Sequence, residues 1–434
     1  MNKFIKYLSS LWLSTILSAI LAFLFQTSLA RILTPFSFGE FNATLSYLLV
    51  FGSLAGLGVD NTLLKIFGKG PQFGNKYGLS IIYYALLTTI ASFIIILLVS
   101  LVLFPNVNIK NLIILSPTLV SLTAFNLQSA VLQVEGKYHQ LGILQIINNG
   151  IKLIFLSLIY FNFVSSIYVY YLYSISSIII TIISLRSFIK LYNGNILKKS
   201  YCSKKIIFSR IKKITNLSVP FGLAAIAHAV YFQSDIFLLS YLKSPEIAGF
   251  YSVAFSIIIA TYLFPAVIYQ KILLPQIHRW SNIAPEKMLL LFQKGNGVML
   301  IIGVFFSLFI FFFSSLIITT LFSNKYIQSI DYLSLLSICI PIRFMISGLG
   351  AVLATGNLIK YKLACMVFVA VLNAILNVAL IPIFGVYAAI FIKIASELLL
   401  FILFLLTIFY KLYGKETFKG WFSFKKGLYD VRKI

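Results

Sequence analysis

The 434-residue chain is too apolar for a soluble protein, because 60% of its residues are hydrophobic and only 10% are charged. Soluble domains are about half apolar and about a quarter charged, so a soluble enzyme, a disordered regulator and a nucleic-acid-binding protein are excluded. The net charge of +25 is therefore interpreted as a feature of a membrane protein whose basic residues contact anionic lipid headgroups. The three scattered cysteines have neither metal-ligand nor disulfide spacing, and no cofactor is predicted.

Twelve apolar stretches are long enough to cross a bilayer as helices, for which about 20 residues suffice. Strands of a membrane β-barrel would be about half as long and would alternate polar with apolar residues. The sequence therefore predicts an all-α polytopic membrane protein. The first stretch is too long for a signal peptide and is expected to stay as a span. The predicted spans are 12–33, 41–63, 79–103, 111–133, 141–162, 167–189, 217–241, 249–272, 295–322, 331–354, 363–383 and 386–410.

An even number of spans places both termini on one side of the membrane, and the basic residues indicate which side. Outside the spans, only Lys110, Lys243 and Lys325 lie on the opposite side. Positively charged loops stay in the cytoplasm, so both termini are predicted to be cytoplasmic. The largest loop is basic and contains no acid, so it is predicted to link two lobes of six helices. The predicted segments are lobe 1–189, linker 190–216, lobe 217–410 and a basic cytoplasmic tail 411–434.

The two predicted lobes contain matching turns. LTPFSFGEF follows the first span and KSPEIAGFY follows the seventh, and both contain Pro, then Gly four residues later, then an aromatic residue. Proline stops the preceding helix and glycine allows a tight turn. Two further glycines match in the turns after the fourth and tenth spans, Gly136 and Gly356. Because each lobe has six spans, the repeat is predicted to be parallel, with a central cavity between the lobes.

Two stretches resemble the polysaccharide-exporter branch of the multidrug/oligosaccharidyl-lipid/polysaccharide (MOP) superfamily. The first begins at Leu29, and its matching residues are Arg31, Leu33, Pro35, Gly39 and Phe41. The second lies in the last two spans, and its matching residues are Asn373, Asn377, Pro382 and Gly385. The Gly-Ala-Ala that usually follows appears here as Tyr387-Ala388-Ala389. The subgroup that the chain resembles most is the Wzx-type O-antigen and capsule repeat-unit flippases.

The resemblance implies a MATE-like fold and a location in the bacterial inner membrane. It also implies a function, which is to translocate an undecaprenyl-pyrophosphate-linked oligosaccharide by alternating access, without enzymatic activity. A polysaccharide polymerase and a chain-length regulator are the implied protein partners. The chain contains no Gly-rich phosphate loop of the GxxxxGK[ST] type, so ATP hydrolysis is not expected. An ion gradient or the membrane potential is the expected energy source.

Charged residues inside the spans are the candidate functional residues, because an ionisable group at mid-membrane is costly unless it faces a cavity or a partner. An excess of cations favours an anionic substrate, since Lys and Arg pair with phosphates and acidic sugars. The predicted substrate-binding residues are Arg31, Lys152, Arg343 and Lys393, and the predicted ion-coupling residues are Asp60, Asp235 and Glu397. Lys393 and Glu397 share one helical face, so they either contact the substrate or neutralise each other. Arg31 and Asp60 lie near span ends, where snorkelling to the interface is the alternative.

Two other functions remain open from the sequence. A cation-coupled multidrug exporter would have the same fold, but it would favour acidic rather than basic groups in its cavity. A polysaccharide polymerase would need a large extracytoplasmic loop, and the predicted loops are too short for one. The tyrosine-rich segment YVYYLYS at the start of the sixth span is typical of an interface belt.

Overall fold

The computed structural model contains helices, turns and connecting loops, and no β-strand among the residues that it describes. Those residues are 2–105, 107–162, 166–197, 207–355 and 358–422. Inside a bilayer every backbone N–H and C=O group must find its partner within the protein, and a helix satisfies them within a single segment. The all-α prediction is confirmed for this part of the chain.

Residue contacts divide the chain into two units, Met1–Gly249 and Phe250–Ile434. Proline is the first residue of several helices, including those that begin at Pro35 and Pro117, where its missing N–H interrupts no helical hydrogen bond. The described helices of the first unit are α1 (Asn2–Ile32), α2 (Pro35–Gly52), α3 (Val59–Phe67), α4 (Pro71–Lys76), α5 (Gly78–Val102), α6 (Ile109–Leu115), α7 (Pro117–Val134), α8 (Tyr138–Asn162), α9 (Ile167–Asn193) and α10 (Phe208–Leu242).

The next helix, α11 (Pro245–Ala266), begins in the last residues of the first unit and continues into the second. It ends in a π-helical turn, Val267–Leu273, directly after Pro265, which cannot donate a helical hydrogen bond. The other described helices of the second unit are α12 (Leu274–Ile283), α13 (Pro285–Leu321), α14 (Ser329–Leu336), α15 (Cys339–Val352), α16 (Ile359–Phe384) and α17 (Val386–Ile408).

Nine segments of the described chain are long and apolar enough to cross a membrane, and the pair α14–α15, bent by 41°, brings the number to ten. The chain is therefore a multi-pass membrane protein. The two other predicted spans coincide with the interrupted pair α2–α3 and with α8. The total of twelve remains a prediction.

The two Pro-Gly turns recognised in the sequence pack against each other. A Cβ atom on Gly39 would overlap the carbonyl oxygen of Pro245, and a Cβ atom on Gly249 would overlap the carbonyl oxygen of Pro35. The contact is reciprocal, as expected for two copies of a motif related by a two-fold axis. Glycine is required at both positions because the opposing backbone leaves no room for a side chain. Of the second matched pair, Gly136 has a φ of +70°, and Gly356 lies outside the described residues.

The second predicted span is interrupted between α2 and α3. Gly56, Leu57 and Gly58 have φ values of +74°, +31° and +72°, so three consecutive residues leave the helical region. Leucine is unusual there, since its Cβ atom disfavours positive φ. A Cβ atom on Gly58 would lie 2.6 Å from the backbone nitrogen of Gly222 in α10. The interruption is therefore held against α10 by a close backbone contact, and α3 begins directly after it.

The predicted linker and tail are partly helical or packed. Helices α9 and α10 extend into the predicted linker 190–216 from both sides, and the side-chain amide of Asn75 donates to the buried carbonyl of Ile196 at 3.2 Å. At the other end of the chain, Gln293 of α13 donates to the carbonyl of Glu416 at 2.9 Å. Residues 198–206 and 423–434 lie outside the described part. The division into two six-helix lobes at the linker remains a prediction.

Candidate functional site

A cluster of charged and aromatic side chains from α11, α15 and α17 lies within the second unit. The guanidinium of Arg343 lies 3.5 Å from the carboxylate of Glu397 and 5.5 Å from the ring centroid of Tyr262. The ammonium of Lys393, one turn before Glu397, lies 4.8 Å from the ring centroid of Phe255. An aromatic face attracts a cation and lowers the cost of burying it. We call Arg343, Lys393, Glu397, Tyr262 and Phe255 the α17 cluster.

Glu397 is the acidic member of the α17 cluster and is fully buried. Neither of its carboxylate oxygens accepts a hydrogen bond within the described part of the chain. Its 3.5 Å separation from Arg343 exceeds the roughly 2.7–2.9 Å of a charge-assisted hydrogen bond. The attraction between the two is therefore Coulombic, without the paired hydrogen bonds that a guanidinium and a carboxylate make when they meet edge to edge. Buried polar atoms normally have hydrogen-bond partners, so this carboxylate is unusual among the described buried groups.

A ladder of buried polar side chains joins α16 to α17 beside Glu397. The amide of Asn377 donates to the side-chain oxygen of Asn373 at 3.1 Å, and the amide of Asn373 donates to the hydroxyl of Ser396 at 3.1 Å. The two asparagines are four residues apart and therefore share one helical face. They belong to the second stretch of the resemblance, and the ladder fixes the face of α17 on which Glu397 lies.

Lys152 of α8 forms a separate cationic site within the first unit. Its ammonium donates to the hydroxyl of Tyr173 in α9 at 3.1 Å and lies 4.4 Å from the centroid of that ring. The Tyr173 ring is in turn 6.1 Å from Phe25 and 5.7 Å from Phe41. The lysine is partly buried, and no acidic residue lies within one helical turn of it in the sequence. The Tyr173 ring therefore helps to stabilise its positive charge.

The three other predicted site residues lie elsewhere in the first unit. Arg31 is exposed in the last turn of α1. Asp60 lies in the first turn of α3, where the helix N-terminus favours a negative charge, and it accepts a hydrogen bond from Asn61 at 3.2 Å. Asp235 is fully buried in α10. The structure thus places Arg343, Lys393 and Glu397 in one cluster, and each functional role assigned to the seven residues remains a prediction.

Sequence reasoning missed Lys362, which lies just before the eleventh predicted span, 363–383. The lysine lies in the first turn of α16, and its ammonium donates to the carbonyl of Gly350 in α15 at 2.9 Å. It is close enough to Arg343 for the two positive charges to repel. Nothing in the sequence indicates this contact, because a lysine at a span boundary normally extends to the interface.

The tyrosines at the start of α9 lie on two faces of the helix, one exposed and one packed against the rest of the first unit. Tyr168 and Tyr171 are 39% and 49% exposed, as expected for an interface belt. Tyr170 is buried, and Tyr173 binds Lys152. The belt interpretation therefore remains a prediction for the exposed face of the helix and does not apply to the buried face.

A salt-bridge cluster stabilises the connection that follows α7. The carboxylate of Glu135 accepts hydrogen bonds from Lys137 at 2.7 Å and from Lys190 at 2.8 Å. Burial alone would raise the pKa of Glu135, but the hydrogen bonds and charges of the two lysines outweigh it and hold the pKa below its ordinary value of 4.5. Because Lys190 belongs to α9, the cluster ties this connection to α9.

Solved structures of transporters share the fold of this multi-pass membrane protein. A structure described as the lipid II flippase MurJ in an inward closed conformation superposes with a TM-score of 0.73 at 16% identity, over 92% of this chain and 87% of that one. The family described as polysaccharide biosynthesis protein matches residues 4–281. The chain belongs to this polysaccharide biosynthesis family of MOP flippases, which confirms the resemblance.

Multidrug transporters have the same fold. An inward-facing multidrug resistance MATE family transporter of the MOP superfamily matches with a TM-score of 0.60 at 12% identity, over 92% of this chain and 93% of that one. The eukaryotic MATE transporter AtDTX14 matches with a TM-score of 0.63 at 13% identity, over 96% and 98%. Identities this low show the fold alone. No sequence among the curated proteins matches significantly.

Proposed function

We propose that the protein translocates an undecaprenyl-pyrophosphate-linked oligosaccharide repeat unit across the bacterial inner membrane, for O-antigen or capsule synthesis. The diphosphate and the sugars must cross an apolar barrier, and the lipid tail stays in the bilayer. The family supports a role in polysaccharide biosynthesis. The description of one similar structure as a lipid II flippase supports a lipid-linked substrate.

The observation that carries this proposal is the set of cations placed on aromatic rings within membrane helices. Arg343, Lys393 and Lys152 each lie within 5.5 Å of a ring centroid. Aromatic faces lower the cost of holding a cation inside the membrane. Such cations can pair with an anionic ligand, and the planar guanidinium of Arg343 can donate to two phosphate oxygens at once.

Ion coupling is assigned in this proposal to Glu397, with Asp235 and Asp60 as further carriers. Glu397 is buried and accepts no hydrogen bond from the described residues. Its attraction to Arg343 links the two events, because an anionic substrate that pairs with Arg343 weakens the hold of the arginine on Glu397. The freed carboxylate then takes up a proton or a cation. Both termini are cytoplasmic in this arrangement, as the basic loops predict.

Deletion of the gene in its native host tests the proposal. We expect surface polysaccharide to disappear and the lipid-linked repeat unit to accumulate at the cytoplasmic face. The wild-type gene should restore export, Arg343→Ala should not, and Arg186→Ala should. Arg186 is a matched control because it is an exposed arginine in α9, outside the α17 cluster. Normal surface polysaccharide in the deletion strain would refute the assignment.

The second candidate function is cation-coupled multidrug export, which the likeness to MATE transporters favours. It predicts that the deletion strain becomes sensitive to a lipophilic cation such as ethidium while its polysaccharide is unchanged. The same strain therefore distinguishes the two functions.

A further inference from the structure

A pocket of about 390 Å³ lies within the first unit, beside the first half of α2 and the last turns of α10, where the sequence predicts the outer side of the membrane. Neither Lys152 nor any residue of the α17 cluster is among its lining residues. Small-molecule sites typically enclose about 300–1,000 Å³ and combine apolar walls with a few fixed polar groups. The lining residues that matter for recognition are Phe36, Glu40, Tyr47, Asn108, Phe237 and Tyr241.

The walls of the pocket are aromatic and rigid. The ring of Phe104 meets both Phe237 and Tyr241 edge to face, with centroids 4.8 Å apart in each case. The Tyr47 ring lies 4.8 Å from Phe237, and its hydroxyl donates to the carbonyl of Ile96 at 3.0 Å. Interlocked rings of this kind hold their positions and present a firm apolar face. Phe36 forms the rim and is 52% exposed.

Glu40 is the fixed polar group of the pocket. The amide of Asn111, which is buried, donates to the Glu40 carboxylate at 3.1 Å. Asn108 also hydrogen-bonds to this carboxylate. A carboxylate has about four acceptor sites, so these hydrogen bonds orient the group and leave capacity for ligand hydroxyls. The amide of Asn108, which lines the pocket, has a second N–H donor and an acceptor oxygen. None of the described residues that line the pocket is a lysine or an arginine.

We propose that this pocket binds one sugar residue of the lipid-linked oligosaccharide, at the outer end of the first unit. A pyranose ring has an apolar face that packs on an aromatic ring and equatorial hydroxyls that donate to a carboxylate. The pocket offers both. It therefore acts as a specificity site for the sugar, apart from the cations that hold the diphosphate. The assignment rests on the proposed function, because it takes the oligosaccharide as the substrate.

Two other ligands fit the pocket less well. A phosphate group would be repelled by Glu40 and would find no cation among the described lining residues. The ammonium of a phosphatidylethanolamine headgroup would be attracted by the rings and the carboxylate. It would not use the amide of Asn108 or the hydroxyl of Ser240, which also line the pocket. The sugar makes use of all of these groups.

Ligand-observed NMR on the purified protein tests the proposal. The protein is placed in nanodiscs of phosphatidylglycerol alone, and the probes are methyl α-glucoside, methyl α-galactoside and N-acetylglucosamine, with ethanolamine as the competing probe. We expect at least one glycoside to bind. Glu40→Gln should weaken that binding about tenfold, through loss of charge-assisted hydrogen bonds. Tyr241→Leu should weaken it about threefold to tenfold, through loss of the ring face. Glu246→Gln is the matched control, an exposed carboxylate at the start of α11 that does not line the pocket.

Each outcome decides the assignment. Glycoside binding that is weakened by Glu40→Gln and kept by Glu246→Gln supports it, provided that the melting temperatures of the variants match the wild type. The absence of glycoside binding, equal binding by all variants, or binding of ethanolamine alone would overturn it. Translocation of lipid-linked oligosaccharide is measured separately in proteoliposomes. Glycoside binding without translocation would refute the proposed function and leave the pocket as a sugar site, whereas translocation without glycoside binding would refute the pocket alone.

Discussion

Replacing Arg343 with alanine would leave the buried carboxylate of Glu397 without its ion-pair partner. At 3.5 Å and an effective dielectric constant of about 20, Coulomb's law gives an attraction of about 5 kcal/mol. Arg343 is 18% exposed, which reduces that figure, and removal of one partner from a buried pair typically costs about 3–5 kcal/mol. We expect Arg343→Ala to lower the free energy of unfolding by about 3 kcal/mol. Adding Glu397→Gln should recover most of the loss, because a neutral amide needs no counter-charge.

The double variant separates a structural role of Arg343 from a role in transport. If Arg343 also binds the diphosphate, Arg343→Ala/Glu397→Gln should be nearly as stable as the wild type and still fail to translocate. Arg343→Lys should retain part of the activity, because lysine keeps the positive charge but cannot donate two parallel hydrogen bonds as a guanidinium does. Glu397→Gln alone should retain substrate binding but lose the dependence of transport on an ion gradient.

Two assays compare the single variants of Arg343 and Glu397 with the double variant. Thermal unfolding of the purified proteins reports stability, and translocation of lipid-linked oligosaccharide in proteoliposomes reports function. Arg186→Ala, an exposed arginine of α9, should change neither. Wild-type translocation by the double variant would refute the reasoning, because Arg343 would then serve only to balance Glu397.

Three further predictions follow from other contacts. Lys152→Ala should reduce translocation at least tenfold, whereas Tyr173→Phe should reduce it only a few-fold, because the ring beneath the ammonium remains; transport assays compare them. Gly39→Ala should abolish folding or lower the free energy of unfolding by more than about 3 kcal/mol, because a Cβ atom there would overlap the backbone. Gly150→Ala is the control and should express normally, because its Cβ atom would be 3.8 Å from its nearest neighbour. Expression levels and melting temperatures test both variants. The lysine partners lower the pKa of Glu135 below its ordinary value of 4.5. The contribution of Glu135 to stability is therefore complete above its ordinary pKa and disappears as the pH falls through the lower folded pKa. The melting temperatures of wild type and Glu135→Gln should differ at pH 7, and the difference should shrink as the pH falls below 4.5.

The positions of the helices could be predicted from the sequence because apolar length is a local property. Each predicted span overlaps helix in the described part of the chain, and the second contains the interruption between α2 and α3. The matched turns at Gly39 and Gly249 were also visible, as a repeated motif. Their mutual contact was not, because a repeat does not tell which copies meet. The interruption at Gly56–Gly58 has a local signal, two glycines flanking a leucine, but glycines are common in membrane helices.

Charged residues could be predicted as candidates, and their partners could not. Burial cost marks Arg343 and Glu397 as unusual in a span, yet they lie 54 residues apart in the sequence, and only the packing of α15 on α17 brings them together. The sequence suggested Lys393 as the neutralising partner of Glu397, because the two share a helical face. The ion pair observed for Glu397 is with Arg343. The aromatic supports at Tyr173, Phe255 and Tyr262 carry no signal in a chain with 41 phenylalanines and 25 tyrosines.

The central claim, that this chain moves a lipid-linked oligosaccharide with the help of cations in its membrane helices, is tested most directly by reconstitution. The purified protein is placed in proteoliposomes with undecaprenyl-pyrophosphate-linked oligosaccharide, and a membrane-impermeant glycosidase measures the fraction of substrate exposed over time. We predict rapid exposure with the wild type, acceleration by an imposed proton or sodium gradient, and rates near those of protein-free liposomes for Arg343→Ala/Glu397→Gln. A wild-type rate no faster than protein-free liposomes would contradict the claim.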